Sequence, residues 1–87
     1  MSPFYIVCKQ GIQQIAEMMI NNERVDVNKE SSVDGSTPLY TACFNDHQEV
    51  VEMLIGNERV DVNKADDDGV TPIYTACEQG NTDIVKT

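Results

Sequence analysis

Apolar residues recur along the chain in short blocks with helical spacing, separated by longer polar linkers. Leu39, Ala42 and Cys43 lie at i, i+3 and i+4, so one face of a short helix would carry all three. The preceding Thr37 is a favoured N-cap residue, and Pro38 falls at the first helical position, where its missing N–H costs nothing. The pattern therefore predicts a short helix that begins at Pro38.

A second helix is predicted from about His47 to Ile55, after a turn near residues 45–46. Its apolar residues, Val50, Val51, Leu54 and Ile55, form a wide stripe that is typical of a helix packed between neighbours. The linkers VDVNKESSVDGS and VDVNKADDDGV combine a β-prone V-D-V with an Asp-Gly turn signal. We therefore expect a unit of helix, turn, helix and extended, hairpin-like finger.

The same unit recurs along the chain. NERVDVNK occurs at Asn22–Lys29 and again 35 residues later at Asn57–Lys64, while TPLYTAC at Thr37–Cys43 returns 34 residues later as TPIYTAC at Thr71–Cys77. Ser2–Cys8 is a weaker copy of the second motif. The unequal shifts indicate one extra residue in the linker before Thr37. Because one unit cannot bury its apolar face alone, the units are expected to stack.

These motifs resemble the ankyrin repeat, whose pattern is roughly D-x-x-G-x-T-P-L-H-x-A-x-x-x-G-x-x-x-V-V-x-x-L-L and then a loop ending in D-V-N. The chain reads DGSTPLYTACFNDHQEVVEMLI, then DGVTPIYTACEQGNTDIV and, more loosely at its start, SPFYIVCKQGIQQIAEMMI. The resemblance implies an all-α fold, an ankyrin-repeat α-solenoid of stacked helix-turn-helix units with β-hairpin-like finger loops. It divides one domain, residues 1–87, into repeat 1 at about 2–34, repeat 2 at about 35–68 and partial repeat 3 at about 69–87.

Departures from the family pattern predict local differences. Tyr5, Tyr40 and Tyr74 stand where the family usually has His after T-P-L, so the hydrogen bonds that this His makes between repeats cannot be carried over. Asp46 stands in the place of the family's inter-helix Gly. We therefore expect a strained or altered turn in repeat 2.

Charge and cysteine count narrow the class of partner and the compartment. The chain has 6 Lys and Arg against 15 Asp and Glu, a net charge of −9, which disfavours nucleic acid and anionic membranes. The N-terminus has neither a basic segment nor an apolar run of signal-peptide length. The odd count of 3 Cys, without C-x-x-C spacing, favours a reducing compartment. We expect an intracellular protein, cytoplasmic or nuclear.

No group of residues has the spacing of a catalytic or cofactor site. Cys8, Cys43 and Cys77 fall at one position of successive units, where we expect small buried hydrophobes and not nucleophiles, metal ligands or a disulfide. The run Asp66–Asp68 departs from an EF-hand loop and is interpreted as a solvated finger tip. The single histidine, His47, is expected to cap a helix or to hydrogen-bond between repeats. The sequence therefore predicts a protein that is not an enzyme, with no catalytic residue, cofactor or metal.

The resemblance implies that protein binding occurs on a concave face, made of the finger tips and the exposed side of each first helix. Phe44, a large aromatic residue expected to be exposed, is the leading candidate for a binding hot spot. An acidic finger beside Phe44 predicts a partner protein with a basic and apolar patch. The candidate binding residues on this face are Val33, Asp34, Ser36, Phe44, Asn45, Asp67, Asp68, Val70, Glu78 and Gln79.

Three functions remain open at this point. The first is a non-catalytic protein–protein interaction module or scaffold. The second is the recognition fragment of a larger enzyme or effector, such as a kinase or ubiquitin-ligase component, and the third is a structural spacer. Repeat 3 reaches residue 87 about one turn into its second helix, so we expect either a fragment of a longer array or self-association through that end.

Overall fold

Pairs of helices stack in two layers. The computed structural model describes residues 2–79. Their helices are α1 (Pro3–Gln10), α2 (Gln13–Ile20), α3 (Pro38–Phe44), α4 (Gln48–Ile55) and α5 (Pro72–Glu78). The first helices of successive units form one layer, in which α3 packs against both α1 and α5, and the second helices α2 and α4 form the other layer. The predicted all-α solenoid of helix-turn-helix units is confirmed. None of the described helices combines the length and apolar composition needed to cross a membrane.

Each first helix begins at a Ser-Pro or Thr-Pro pair, as the sequence pattern predicts. The hydroxyls of Ser2, Thr37 and Thr71 accept hydrogen bonds from the backbone N–H three residues later, at 3.2, 3.1 and 3.3 Å. A proline follows each cap at the start of the helix. Because an N-cap of this kind contributes about 1 kcal/mol, these residues fix where α1, α3 and α5 begin.

A residue in the left-handed region ends each of the two complete turns between paired helices. Gly11 has φ 72° and Asp46 has φ 58°. Asp46 thus adopts the same backbone conformation as the glycine it replaces, at a cost of roughly 1 kcal/mol for a residue with a β-carbon. The prediction of a strained turn in repeat 2 is confirmed.

A hydrogen bond of His47 links the turn between α3 and α4 to the preceding unit. Its Nε2 donates to the Lys9 carbonyl oxygen at 2.8 Å, in the last turn of α1. The ring also lies against Gly11, where an added β-carbon would come within 2.4 Å of His47 Nδ1. His47 therefore hydrogen-bonds between repeats, as predicted, and its position explains why residue 11 has no side chain.

The core runs through both layers and is almost entirely apolar. Cys8 and Cys43 are buried in it as predicted, but Cys77 is exposed, so the prediction of three buried thiols is wrong at the third. The reason is that α5 packs against α3, and no other helix of the described residues packs closely on its outer side. The buried apolar cluster comprises Phe4, Cys8, Ala16, Ile20, Val27, Leu39, Ala42, Cys43, Val50, Val51, Leu54, Val60 and Ala76.

The two copies of NERVDVNK, the first loop (residues 22–29) and the second loop (residues 57–64), lie side by side. The Arg59 guanidinium of the second loop donates to four carbonyl oxygens at the edge of the first. These acceptors belong to Ile20 at 3.0 Å, Asn22 at 3.2 Å, Glu23 at 3.4 Å and Val25. A single side chain therefore bonds the last carbonyl group of α2, which has no helical partner, and three carbonyl groups of the first loop.

Three further polar contacts join the loops, one of them through Glu30, which directly follows the first loop. Asn28 Nδ2 donates to the Arg59 carbonyl oxygen at 2.8 Å, and Asn28 Oδ1 accepts from the backbone N–H of Asp61 at 2.7 Å. Glu30 and Lys64 form an ion pair whose hydrogen bond lowers the pKa of Glu30 and raises the pKa of Lys64. Successive units are thus joined through their loops as well as through the core.

Candidate functional site

Two fingers project beside the first helices, the first finger at residues 31–36 and the second finger at residues 66–70. Ser31 N–H donates to the Ser36 carbonyl oxygen at 2.8 Å, and Asp66 N–H donates to the Val70 carbonyl oxygen at 2.9 Å. The first finger therefore contains one residue more, as the unequal repeat shifts predicted. Both turn back on themselves like hairpins, although the described residues contain no strand. Asp67 N–H donates to the Asp34 carbonyl oxygen at 3.0 Å and so aligns the second finger on the first.

A chain of hydrogen bonds fixes the base of the first finger. Asp34 Oδ1 accepts from the Ser36 backbone N–H at 3.0 Å and from the Ser36 hydroxyl at 2.8 Å. Both bonds lower the pKa of Asp34, the backbone bond most, so its carboxylate is ionised at neutral pH. The Ser36 hydroxyl lies 2.7 Å from the Tyr5 hydroxyl, and it accepts this bond because its own proton points to Asp34. Tyr5 thus supplies an inter-repeat hydrogen bond at the position where the family usually has His.

A groove of about 240 Å³ lies between α1, α3 and the first finger. One wall is aromatic, since the rings of Tyr40 and Phe44 stack on α3 with centroids 6.4 Å apart and planes 14° apart. Phe44 is 53% exposed despite its size. The groove is lined by Tyr5, Lys9, Asp34, Ser36, Tyr40, Thr41, Phe44 and Asn45.

The groove brings together only part of the predicted binding surface. Asp34, Phe44 and Asn45 are exposed and line it, but Ser36 is buried, so its predicted position at an exposed finger tip is wrong. The buried hydroxyl instead joins the hydrogen bonds at the base of the finger. Asn45 Nδ2 is likewise engaged, donating to the Thr41 carbonyl oxygen at 2.8 Å.

The remaining predicted residues lie outside the groove. Val33 is at the tip of the first finger and is 82% exposed. Asp67 and Asp68 are exposed on the second finger, whereas Val70 at its base is partly buried. Glu78, the last residue of α5, and the following Gln79 are both exposed. Three of these residues, Asp67, Asp68 and Glu78, add negative charge outside the groove.

Tyr5, Tyr40 and Thr41 line the groove but are not among the residues that the sequence predicts for the binding face. A signal for one of them is present, because Tyr40 and Phe44 lie at i and i+4 of a predicted helix and so share a face. The burial of Tyr5 has no such local signal, since it depends on Ser36 in the next unit, 31 residues away. Tyr40 has no equivalent partner, because the matching position of the second finger is Val70.

A second cavity of about 190 Å³ lies between α3, the second loop and α5. It is almost wholly apolar, and its lining includes Leu39, Cys43, Ile55 and Ile73. Burial raises the pKa of the Cys43 thiol to about 12, and it does the same for Cys8, so neither thiol is ionised at neutral pH. This cavity therefore has the character of packing space and not of a reactive site.

The first carboxylate of the acidic second finger, that of Asp66, accepts hydrogen bonds from the backbone of the same turn. Asp66 Oδ1 accepts from the backbone N–H groups of Asp68 at 3.0 Å and of Val70 at 2.9 Å. Among residues 2–79 no group of three or more His, Cys, Asp or Glu side chains is placed to hold a metal ion. The arrangement of the described residues thus offers surface contacts, an aromatic wall and fixed charges.

Comparison with known proteins agrees with this architecture. A family model described as ankyrin repeats, in three copies, matches residues 4–87, which is nearly the whole chain. The comparison with curated proteins found no match.

Proposed function

The chain belongs to the ankyrin-repeat family, and on that premise we propose that it is a non-catalytic module that binds another protein along its concave face. Ankyrin repeats are generally protein–protein interaction modules. The proposed face consists of the two fingers and the exposed sides of α1, α3 and α5. The groove beside Phe44 is the observation that carries the proposal.

The groove has the features of a protein-binding hot spot. Large aromatic residues contribute most to protein interfaces when they sit in or beside a pocket that a partner can fill. Phe44 offers such a ring, held in place by its stacking on Tyr40. The volume of the groove, about 240 Å³, is below the range of roughly 300–1,000 Å³ typical of small-molecule sites. The groove therefore suits one side chain of a larger partner better than a whole metabolite.

Charge supports a partner with a basic and apolar patch. The net charge of −9 favours the approach of basic surfaces. Exposed Asp34 lines the groove together with the aromatic wall, and exposed Asp67 and Asp68 lie on the second finger. The same charge disfavours nucleic acid and anionic membranes as partners. The exposed thiol of Cys77 is compatible with a reducing compartment, and we propose an intracellular location.

Selection from a phage library of random twelve-residue peptides on the immobilised chain tests this function. We expect enriched peptides whose binding is weakened about tenfold by Phe44→Ala. Asp67→Asn is expected to weaken binding about twofold, and raising the salt concentration is expected to weaken it as well.

Met18→Ala and Glu17→Gln are the matched controls, because both residues are exposed on α2 and lie outside the groove. Both variants should bind the peptides as the unchanged chain does. No enrichment above that on an unrelated immobilised protein, or equal binding by all four variants, would contradict the proposal.

A further inference from the structure

We propose that the groove beside α3 is a subsite for one arginine side chain of the partner protein. Its guanidinium would stack on the Tyr40–Phe44 wall and pair with the Asp34 carboxylate, an inference that rests on the function proposed above. The two recognition elements come from different units, because Asp34 belongs to the first finger and the aromatic pair to α3.

The aromatic wall favours a planar cation. The Tyr40 and Phe44 rings are stacked within 14° of parallel, so Tyr40 helps to fix the orientation of the Phe44 ring. Half of the Phe44 side chain is open to solvent. A guanidinium stacks on such an exposed ring through both cation–π attraction and planar contact, whereas an ammonium group gains only the first.

The carboxylate is fixed in position before a partner arrives. Asp34 Oδ1 is held by the Ser36 backbone N–H and hydroxyl, and Ser36 is held in turn by Tyr5. Asp34 Oδ2 takes part in none of these bonds. A carboxylate that is already ordered and ionised loses little conformational entropy when it pairs with a cation, which favours binding.

The lining also decides the sign of the ligand's charge. Among residues 2–79, Lys9 is the one cationic group that lines the groove, and it is exposed on the last turn of α1. The groups that attract a cation are the Asp34 carboxylate, the exposed Phe44 ring and the side-chain oxygen of Asn45, whose Nδ2 is turned to Thr41. A cation therefore meets more attraction than an anion does, and Lys9 is expected to oppose its binding moderately.

A selected peptide and its analogues test the subsite in the full chain. In the peptide, the expected key residue is an arginine, which is replaced in turn by citrulline, a neutral group of the same shape, and by lysine. Isothermal titration calorimetry should show binding weakened about tenfold by citrulline and about threefold by lysine.

Three variants of the chain are expected to affect the affinity for the arginine peptide differently. Asp34→Asn keeps an acceptor for Ser36 but removes the charge. It should therefore weaken binding of the arginine peptide about threefold and reduce the difference in affinity between the arginine and citrulline peptides. Lys9→Gln should strengthen binding of the arginine peptide about twofold, since it removes a positive charge that repels the arginine. Glu17→Gln, with the same change in charge as Asp34→Asn, should have no effect.

The outcomes separate the subsite from the function. Peptides that lose affinity in Phe44→Ala but contain no required arginine would overturn the subsite and leave protein binding standing. Equal affinity of the arginine and citrulline peptides, or weaker binding after Lys9→Gln, would also overturn it. A library that yields no binding peptide would overturn both proposals.

Discussion

At the scale of single residues, the turns after α1 and α3 show how one backbone requirement is met by two types of residue. Gly11 and Asp46 occupy equivalent positions and share a left-handed conformation, with φ of 72° and 58°. Glycine adopts this region freely, whereas aspartate does so at a cost that its short polar side chain only partly reduces. At Gly11 the ring of His47 also leaves no room for a β-carbon.

Asp46→Gly is expected to stabilise the protein. Relief of left-handed strain exceeds the greater chain entropy that glycine gives to the unfolded state, so the free energy of unfolding should rise by about 0.5 kcal/mol. Urea denaturation followed by circular dichroism measures this change. Asp46→Asn serves as a control for charge and should change stability little, because asparagine tolerates the same conformation. A loss of stability in Asp46→Gly would mean that the aspartate side chain is needed.

Gly11→Ala is expected to destabilise the protein by about 2 kcal/mol, since the new methyl group displaces His47 and strains the turn. His47→Ala alone loses the bond to the Lys9 carbonyl oxygen, at a cost of about 1 kcal/mol. The double variant should lose less than the sum of the two, because both changes remove the same contact. Additive losses in a denaturation cycle would contradict this account.

At the scale of elements, identical sequences have taken up the same local structure in different surroundings. In both loops the first Asn accepts from the backbone of the Arg two residues on, at 3.0 Å in the first loop and 2.9 Å in the second. The conformation is therefore set by the octapeptide itself. The arginines nevertheless differ, because Arg59 donates to one carbonyl oxygen at the end of α2 and to three of the first loop, while the Arg24 guanidinium has no such acceptors within residues 2–79.

Arg59→Lys is expected to lower the free energy of unfolding by about 1–2 kcal/mol. Lysine keeps the charge but cannot reach several carbonyl oxygens at once, as the forked guanidinium does. Arg24→Lys is the matched control within the same octapeptide, and it should cost less than about 0.5 kcal/mol. Equal effects of the two substitutions in thermal or urea unfolding would show that the loop contact contributes nothing.

These elements also show how far the sequence could predict the structure. The Thr-Pro caps, the helix periodicity and the extra residue of the first finger depend on neighbours in the chain, so they could be predicted from it. The acceptors of Arg59, the burial of Ser36 and the exposure of Cys77 depend on residues 30 or more positions away or on the next unit. Local patterns carry no information on such contacts, which is why the groove was predicted only in part.

At the scale of the whole molecule, stacking places two thiols inside the core. Cys8 and Cys43 come from equivalent positions of α1 and α3, and burial raises the pKa of each to about 12 from an ordinary value of 9.0. Both thiols stay protonated in the folded chain at a pH where they ionise in the unfolded chain. Their contribution to stability is therefore fully present below pH 9 and is lost as the pH rises towards 12.

Stability is accordingly expected to fall between about pH 9 and 11, by up to about 1.4 kcal/mol per pH unit for each buried thiol. Urea denaturation at a series of pH values measures this slope. The variant Cys8→Ala/Cys43→Ala controls for tyrosine and lysine titration and should show a clearly shallower decline. An unchanged slope in that variant would mean that the thiols are not the groups responsible.

The domain as a whole is proposed to bind through one of its two sides, and the location of a bound peptide tests that claim most directly. A selected peptide would be titrated into the ¹⁵N-labelled chain and followed by amide chemical shifts. We predict that the largest changes fall on the finger side, at Lys9, Asp34, Phe44 and Asn45, with little change along α2 and α4. Shifts confined to α2, α4 or the first loop would contradict binding on the concave face.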